Sequence, residues 1–304
     1  TLFYLAEIIS RFDMVAVQEV NGMDEWDELM FILGPEWDYV ATGVTDAKLG
    51  GNGERLTFVF DRRKVSFKKI IDEIVLPPHL EVGASKADGT RGKQFNRTPV
   101  KAVFQSGWLK FDLCTVHIYY GNDSGAKLKQ RQAEIASVAN YLAKDAKAAL
   151  KNERATFLLG DFNIVHPEHQ TMEALLKSGF KIPKTLALRT NVNDTKFYDQ
   201  IAFMEGKGLL DYVERSSDDP LQRNAGVLDI FQELMRPEDF KRYKPEIMKG
   251  TASKGKRAVK IGLEGYYKDW RTYQISDHKP MWVRLRTNDS AAYLEALRKA
   301  GEDA

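Results

Sequence analysis

Short runs rich in β-branched and aromatic residues recur along the whole chain, and helical patterns separate only some of them. The runs are Met14 to Val20, Tyr39 to Val44, Leu56 to Phe60, Val100 to Phe104, Leu109 to Ile118, Thr156 to Leu159, Tyr198 to Phe203 and Pro280 to Leu285. Val100 to Phe104 and Leu109 to Val116, joined across Ser106-Gly107, have hairpin spacing. A doubly wound parallel sheet would instead need a crossover helix after nearly every strand. The clearest helix runs from about Ser124 to Leu150, with Leu128, Ile135, Val138, Leu142, Ala146 and Ala149 on one face and a lysine-rich face opposite. This pattern predicts an α/β sandwich of mostly antiparallel sheets with helices outside.

A chain of 304 residues with 43% hydrophobic content can bury a substantial core. No internal repeat or low-complexity tract divides it. The one compositional break lies between Met204 and Trp270, where Gly, Asp and Lys clusters surround a helical piece, Leu228 to Met235, that stops before Pro237. This predicts a single domain over 1–304 carrying an insertion at about 205–270. Lys and Arg total 45 against 43 Asp and Glu, so any nucleic-acid binding must use a local patch. Cys114, the lone cysteine, lies in an apolar run and reads as a buried, inert thiol; it excludes an intrachain disulfide and a thiolate zinc cluster. No apolar run reaches the roughly 18 residues of a membrane span, and the first residues lack the order of a secretory signal. The expectation is a soluble protein, leaning to the cytoplasm, with an upstream targeting segment left open and oligomeric state unread.

Several strands end in groups able to hold a cation or move a proton. Phe157 to Asn163 closes on Asp161 and Asn163, which strand periodicity would put on one face. There a carboxylate can hold a cation or orient water while the amide donates to a phosphate oxygen. An Asp-x-Asn turn is the structural alternative. Met14 to Glu19 ends in an acid, Gln274 to Pro280 carries Asp277 and His278, and His117 ends Leu113 to Ile118. Oxygen-rich ligands without a cysteine cluster suit Mg²⁺, Mn²⁺ or Ca²⁺ better than zinc, and a hard cation beside histidines suits phosphoryl chemistry.

Seven anchors occur in order: Gln18-Glu19, Gly53-Glu54-Arg55, Arg97-Thr98-Pro99, Thr115-Val116-His117, Gly160-Asp161-Phe162-Asn163, Tyr198-Asp199-Gln200-Ile201 and Ser276-Asp277-His278. On these the chain, over about residues 2 to 286, resembles the endonuclease/exonuclease/phosphatase superfamily of metal-dependent phosphoesterases. Tyr198-Asp199-Gln200-Ile201 looks closest to the Tyr-Asp-Arg-Ile of deoxyribonuclease I, and Arg97-Thr98-Pro99 looks like its phosphate-contacting Arg-Glu-Pro. The resemblance implies a four-layered α/β/β/α sandwich with the site at one rim. It makes Glu19 a metal ligand and Asp277 a second metal-site carboxylate or a ligand-orienting residue. It pairs Glu54 with His117 and Asp199 with His278, gives Asp161 and Asn163 the positioning of water and phosphate, and gives Arg97 a phosphate contact. The departures are Asn52, where a tyrosine is expected two residues before Glu54, and the start of the chain. Family members carry a central strand roughly 30 residues before the acid matching Glu19, and only 18 residues precede it here. The first strand is therefore expected to lie upstream.

The implied function is metal-dependent phosphodiester hydrolysis by a nuclease acting on DNA or RNA. Its alternatives are a phosphatase or phospholipid phosphodiesterase of the same superfamily, and a non-catalytic binding module that keeps the fold. Lys249, Lys254, Lys256, Arg257 and Lys260 stand in a Gly/Ser-containing stretch without an acid, which reads equally as a phosphate-tracking loop or a solvated surface. Tyr266, Tyr267 and Trp270 are expected to pack the insertion. Gly50-Gly51-Asn52-Gly53 reads as a rim loop, His166 and His169 as structural or solvated histidines, and Ser290 to Ala300 as a short helix packing through Tyr293, Leu294 and Leu297.

Overall fold

The computed structural model describes residues 1–44, 53–85, 89–206, 210 and 223–302. Gly50 to Asn52 and parts of the 205–270 stretch lie outside the described residues. A three-stranded sheet has the order β1-β3-β2, from β1 (Met14–Val20), β2 (Trp37–Ala41) and β3 (Arg55–Asp61). A five-stranded sheet runs β4 (Ser66–Glu73), β5 (Val100–Ser106), β6 (Leu109–His117), β7 (Arg154–Asp161), β8 (Asp199–Met204). Only β6 and β7 are parallel, joined by the crossover helix α3 (Gly125–Leu150). β9 (Ala225–Val227) and β10 (Met281–Val283) form a separate antiparallel pair.

Three apolar cores stack these elements into four layers. Ala6 and Ile9 of α1 (Leu2–Ile9) and Trp26 and Leu29 of α2 (Met23–Leu33) pack on Val20 and Val59. Between the sheets, Leu56, Phe58 and Phe60 of β3 meet Phe104, Phe111, Phe157 and Phe203. On the far face, Ile135, Val138 and Leu142 of α3 and Leu175 of α4 (Gln170–Leu176) cover Cys114, Val116, Leu158 and Ala202. Burial raises the pKa of Cys114, consistent with an inert thiol. The chain is thus an α/β/β/α sandwich with two mostly antiparallel sheets.

The hairpin expected at Ser106-Gly107 is present, with Ser106 opposite Leu109. Gly107 has φ +54, and a Cβ there would lie 2.2 Å from the Thr287 carbonyl oxygen, so the turn admits no side chain. No strand precedes β1 among the described residues; α1 does.

Between 223 and 274 the sequence expectation needs correction. Leu228 to Met235 is not a helix. A single 3₁₀ turn over Ile230–Gln232 starts where Asp229 caps the Phe231 N–H, and Met235 has the positive φ of 48° that a helix cannot continue through. The helices are instead α5 (Phe240–Lys249) and α6 (Lys256–Gln274), the latter broken at Gly262, which has φ 75°. Tyr266 and Tyr267 are buried with Ile8, Ile230 and Ile247, so these aromatics pack the structure as expected. The cationic stretch is helical, not a loop. Lys249 pairs with Glu246 at 2.7 Å and Arg257 with Asp269; Lys254 ends a 3₁₀ turn, and Lys256 and Lys260 lie in the first turns of α6. α7 (Ser290–Glu302) touches the body through Tyr293, whose ring lies 5.3 Å from that of Trp108. Leu294 and Leu297 stay 63% and 52% exposed, so the expected apolar packing face is largely unburied.

Candidate active site

Register alone lines up three of the expected residues. His117 is opposite Asp161 in the parallel β6–β7 ladder, and Asp161 is opposite Asp199 in the antiparallel β7–β8 ladder. Directly opposed residues share a face, so one transverse row carries an imidazole and two carboxylates. Gly160, beside the row, has φ +125, and a Cβ there would lie 2.2 Å from the Val116 carbonyl oxygen. The glycine of Gly160-Asp161-Phe162-Asn163 is what lets β7 approach β6 closely at this rim.

Glu19 reaches the row by a different device. Val17 pairs with Thr57 and Val20 with Arg55, so Gln18 and Glu19 together stand opposite Leu56. This is a β-bulge, and Glu19 takes the left-handed φ of 62° that few non-glycine residues adopt. The bulge separates the two side chains: Gln18 donates to Thr115 Oγ1 at 2.9 Å, tying β1 to β6, while Glu19 turns its 66%-exposed carboxylate to within 3.8 Å of His117 Nε2. Its backbone is strained where the carboxylate is aimed.

Both expected carboxylate–imidazole pairs come together. His117 Nδ1 lies 2.9 Å from Glu54 Oε1, close but without hydrogen-bond geometry, and His278 Nδ1 is hydrogen-bonded to Asp199 Oδ2 at 2.8 Å. Asp199 thereby fixes the tautomer and orientation of the His278 ring. The two imidazoles nonetheless differ in charge. Burial lowers the pKa of His117, outweighing the pull of Asp161, and so favours its neutral form. Burial also opposes charge on His278, but the hydrogen bond and charge of Asp199, with the charges of Asp161 and Asp277, push its pKa up to about 10. Burial, then the neighbouring Asp199 charge, raises the pKa of Asp161.

Asp161 and Asn163 meet through a turn, not through the strand pleat. Asn163 has φ 52°, and its backbone N–H donates to Asp161 Oδ1 at 2.7 Å. Its side-chain amide donates to the Ile118 carbonyl at 2.8 Å and to Asp161 Oδ2 at 3.3 Å. The amide protons expected for a phosphate are therefore engaged with the Ile118 carbonyl and Asp161. Arg97 pairs with Glu54, the same carboxylate that lies beside His117.

Among the described residues, two groups of side chains have the spacing to hold a cation: Glu19, Glu54 and His117, and Asp161, Asp199 and His278. Asp277 belongs to neither. Its exposed carboxylate lies beyond ligand spacing, and it bears on the site through its charge on His278 and its carbonyl, which accepts from the Val192 N–H. His166 and His169 are outside both groups as well, and His169 caps α4 by accepting from the Thr171 N–H.

Two residues behind the row were not anticipated, Arg131 and Glu134, both in the apolar stripe of α3. Arg131 is fully buried and donates to the carbonyls of Tyr120, Asn122 and Asn163 and to Asp123, pinning the loops that follow β6 and β7. Glu134, 1% exposed, has a carboxyl pushed up to about 7 by burial, against the backbone N–H groups of Tyr119 and Asn96 and the charges of Arg97 and His117. Charged residues inside a helix's apolar face were the available signal.

No family model matches the chain, and no curated protein matches it in sequence. Solved structures do match in fold. An endonuclease/exonuclease/phosphatase family protein from Leptotrichia buccalis is 13% identical, with 94% of this chain and 92% of that one covered at a TM-score of 0.51. The 3′ phosphatase NExo from Neisseria, solved as a variant bound to a product DNA hairpin, is 14% identical, with 92% of each chain covered at a TM-score of 0.51. The fold is that of the endonuclease/exonuclease/phosphatase proteins, the deoxyribonuclease I-like sandwich.

Proposed function

We propose that this protein is a divalent-metal-dependent phosphodiesterase that cuts DNA or RNA by in-line attack of water. The observation behind this reading is the row His117, Asp161, Asp199 with His278 beside it, one imidazole favoured neutral and one protonated, each within 2.9 Å of its own carboxylate. A site with one proton donor, one buried carboxylate and an unpaired exposed carboxylate has the parts phosphodiester hydrolysis requires. NExo, of the same fold, was solved with DNA, which supports a nucleic-acid substrate.

The residues fit a hard cation. Glu19 makes no Lys or Arg ion pair among the described residues, and the donors beside it are oxygen and imidazole nitrogen without thiolate. Glu19, backed by Glu54 and His117, would hold Mg²⁺ or Mn²⁺, with Ca²⁺ a weaker candidate. A bound cation supplies positive charge to the phosphate oxygens. His278, protonated and fixed through Nδ1, donates from Nε2 to a phosphate oxygen. Asp161 orients the attacking water and takes its proton; its raised pKa suits the task. Asn163 holds Asp161 in place, Arg97 draws the phosphate toward the row, and Asp277 helps keep His278 charged.

Purified protein assayed on plasmid DNA, single-stranded RNA, an inositol phosphate and a generic phosphodiester, with Mg²⁺, Mn²⁺ or EDTA, tests the reading. Metal-dependent cleavage of nucleic acid that is lost in His278→Ala is the expected result. Turnover of only the small phosphoesters moves the protein to the phosphatase or phospholipase branches. Silence on all four despite bound metal makes it a binding module.

A further inference from the structure

One flank of the row is aromatic, and no role assigned above uses it. The Tyr198 ring stacks on His278, with centroids 5.4 Å apart and planes 23° from parallel. The Tyr120 ring meets Tyr198 edge-on at 6.1 Å and 79°. Tyr120 is 43% exposed, a large aromatic surface left in water two ring contacts from the imidazole that donates to the phosphate.

Tyr120 is also held unusually firmly for an exposed side chain. The fully buried Arg131 guanidinium lies 4.8 Å from the centroid of its ring and accepts no role in solvent, because the same guanidinium donates to the Tyr120 carbonyl at 2.9 Å. The Tyr120 ring thus has Arg131 over it and Tyr198 packed beside it, and still leaves 43% of the residue exposed. A rigid aromatic face backed by a cation is what base stacking uses: every base has a π-face, and the ring loses little freedom on binding. The cationic stretch at 249–260 is partly internally paired, Lys249 with Glu246 and Arg257 with Asp269.

We propose that Tyr120 is a stacking platform for the nucleobase adjoining the scissile phosphate, with Tyr198 bracing it against His278. The assignment rests on the nucleic-acid reading above. It makes base-bearing strands better substrates than a bare sugar-phosphate backbone.

The test compares KM for a short oligothymidylate with KM for an oligomer of equal length built from abasic residues, using the intact protein with Mg²⁺. The parent should prefer the base-bearing strand, and Tyr120→Ala should reduce that preference by roughly 5- to 100-fold, as loss of one base–aromatic stack predicts. Tyr120→Phe, which keeps the ring, should restore the preference. Equal rises in KM on both oligomers, or an unchanged ratio, would overturn the platform while leaving the nuclease reading intact. A parent that cleaves neither oligomer yet hydrolyses a small phosphoester overturns the nucleic-acid reading, and the platform with it.

Discussion

Asp199 and His278 are 79 residues apart in the chain, yet their side chains meet at 2.8 Å, and the carboxylate holds the imidazole protonated well above neutral pH. His278 gains its partner on folding, so its pKa rises from 6.5 to about 10. Its contribution to stability is full below about pH 6.5 and is lost as pH rises through about 10. A reaction that needs the imidazolium follows the same limb and falls as pH approaches 10. Asp199→Asn should move that limb toward the ordinary histidine range and lower kcat about 100- to 10,000-fold. Histidine resonances followed through a pH titration, beside kcat profiles of both proteins, check the prediction; an unmoved limb would assign it to another group.

Metal dependence should converge on Glu19. Its carboxylate is aimed by the bulge and is exposed, so Glu19→Gln removes a charge without opening a cavity. The expected outcome is a metal requirement raised at least about 10-fold, with the melting temperature in metal-free buffer nearly unchanged. Activity titrated against Mg²⁺ and Mn²⁺ after EDTA treatment measures it. An Asp277→Asn variant should show a much smaller change, because that carboxylate stands outside both cation-spaced groups.

Strands buried on both faces were legible from sequence. β3, β5 and β6 read as apolar runs because helices or sheets cover them on each side. β4 was not, because it is an exposed edge carrying Lys68 and Lys69, with a register shift and a left-handed Lys69. α5 and α6 escaped notice because Pro245, Gly255, Gly262 and Gly265 break their pattern and lysines mask their apolar face. At the site, Asp161 and Asn163 could be read from a local motif. The pairing of Glu54 with His117 and of Asp199 with His278 could not, since contacts across sheets leave no local periodicity; the family resemblance supplied both. The bulge at Glu19 is equally silent in sequence, because nothing in Gln18-Glu19 marks two residues opposing one.

Glu134 should give stability a pH dependence opposite to that of an ion-paired acid. Its carboxyl sits at about 7 when folded against an ordinary 4.5. The protein therefore has this group's full stability below about pH 4.5 and loses it as pH rises through about 7, by an amount on the order of 3 kcal/mol. Glu134→Gln keeps the shape and removes the proton, so denaturant midpoints measured across that window should lose this pH-dependent decline.

Arg131 is the strongest single test of how the rim is held. It is fully buried, and its guanidinium satisfies three backbone carbonyls and Asp123. Arg131→Met fills most of the volume but leaves those acceptors, and the Asp123 charge, short of a donor. Breaking a buried charged network of this kind costs about 3–5 kcal/mol. The Asn163 carbonyl is among the orphans, and Asn163 is the residue whose N–H and amide hold Asp161. Loss of Arg131 should therefore lower kcat at temperatures where the variant is still folded, in addition to lowering its denaturant midpoint. Lys196 also pairs with Asp123, at 2.8 Å, and reaches none of the carbonyls that Arg131 serves. Lys196→Met should accordingly cost about 1 kcal/mol or less and leave kcat nearly intact. Parallel denaturation curves and kcat values for the two variants separate the roles: equal losses in both would mean that the Asp123 charge, not the anchoring of Asn163, sets the rate.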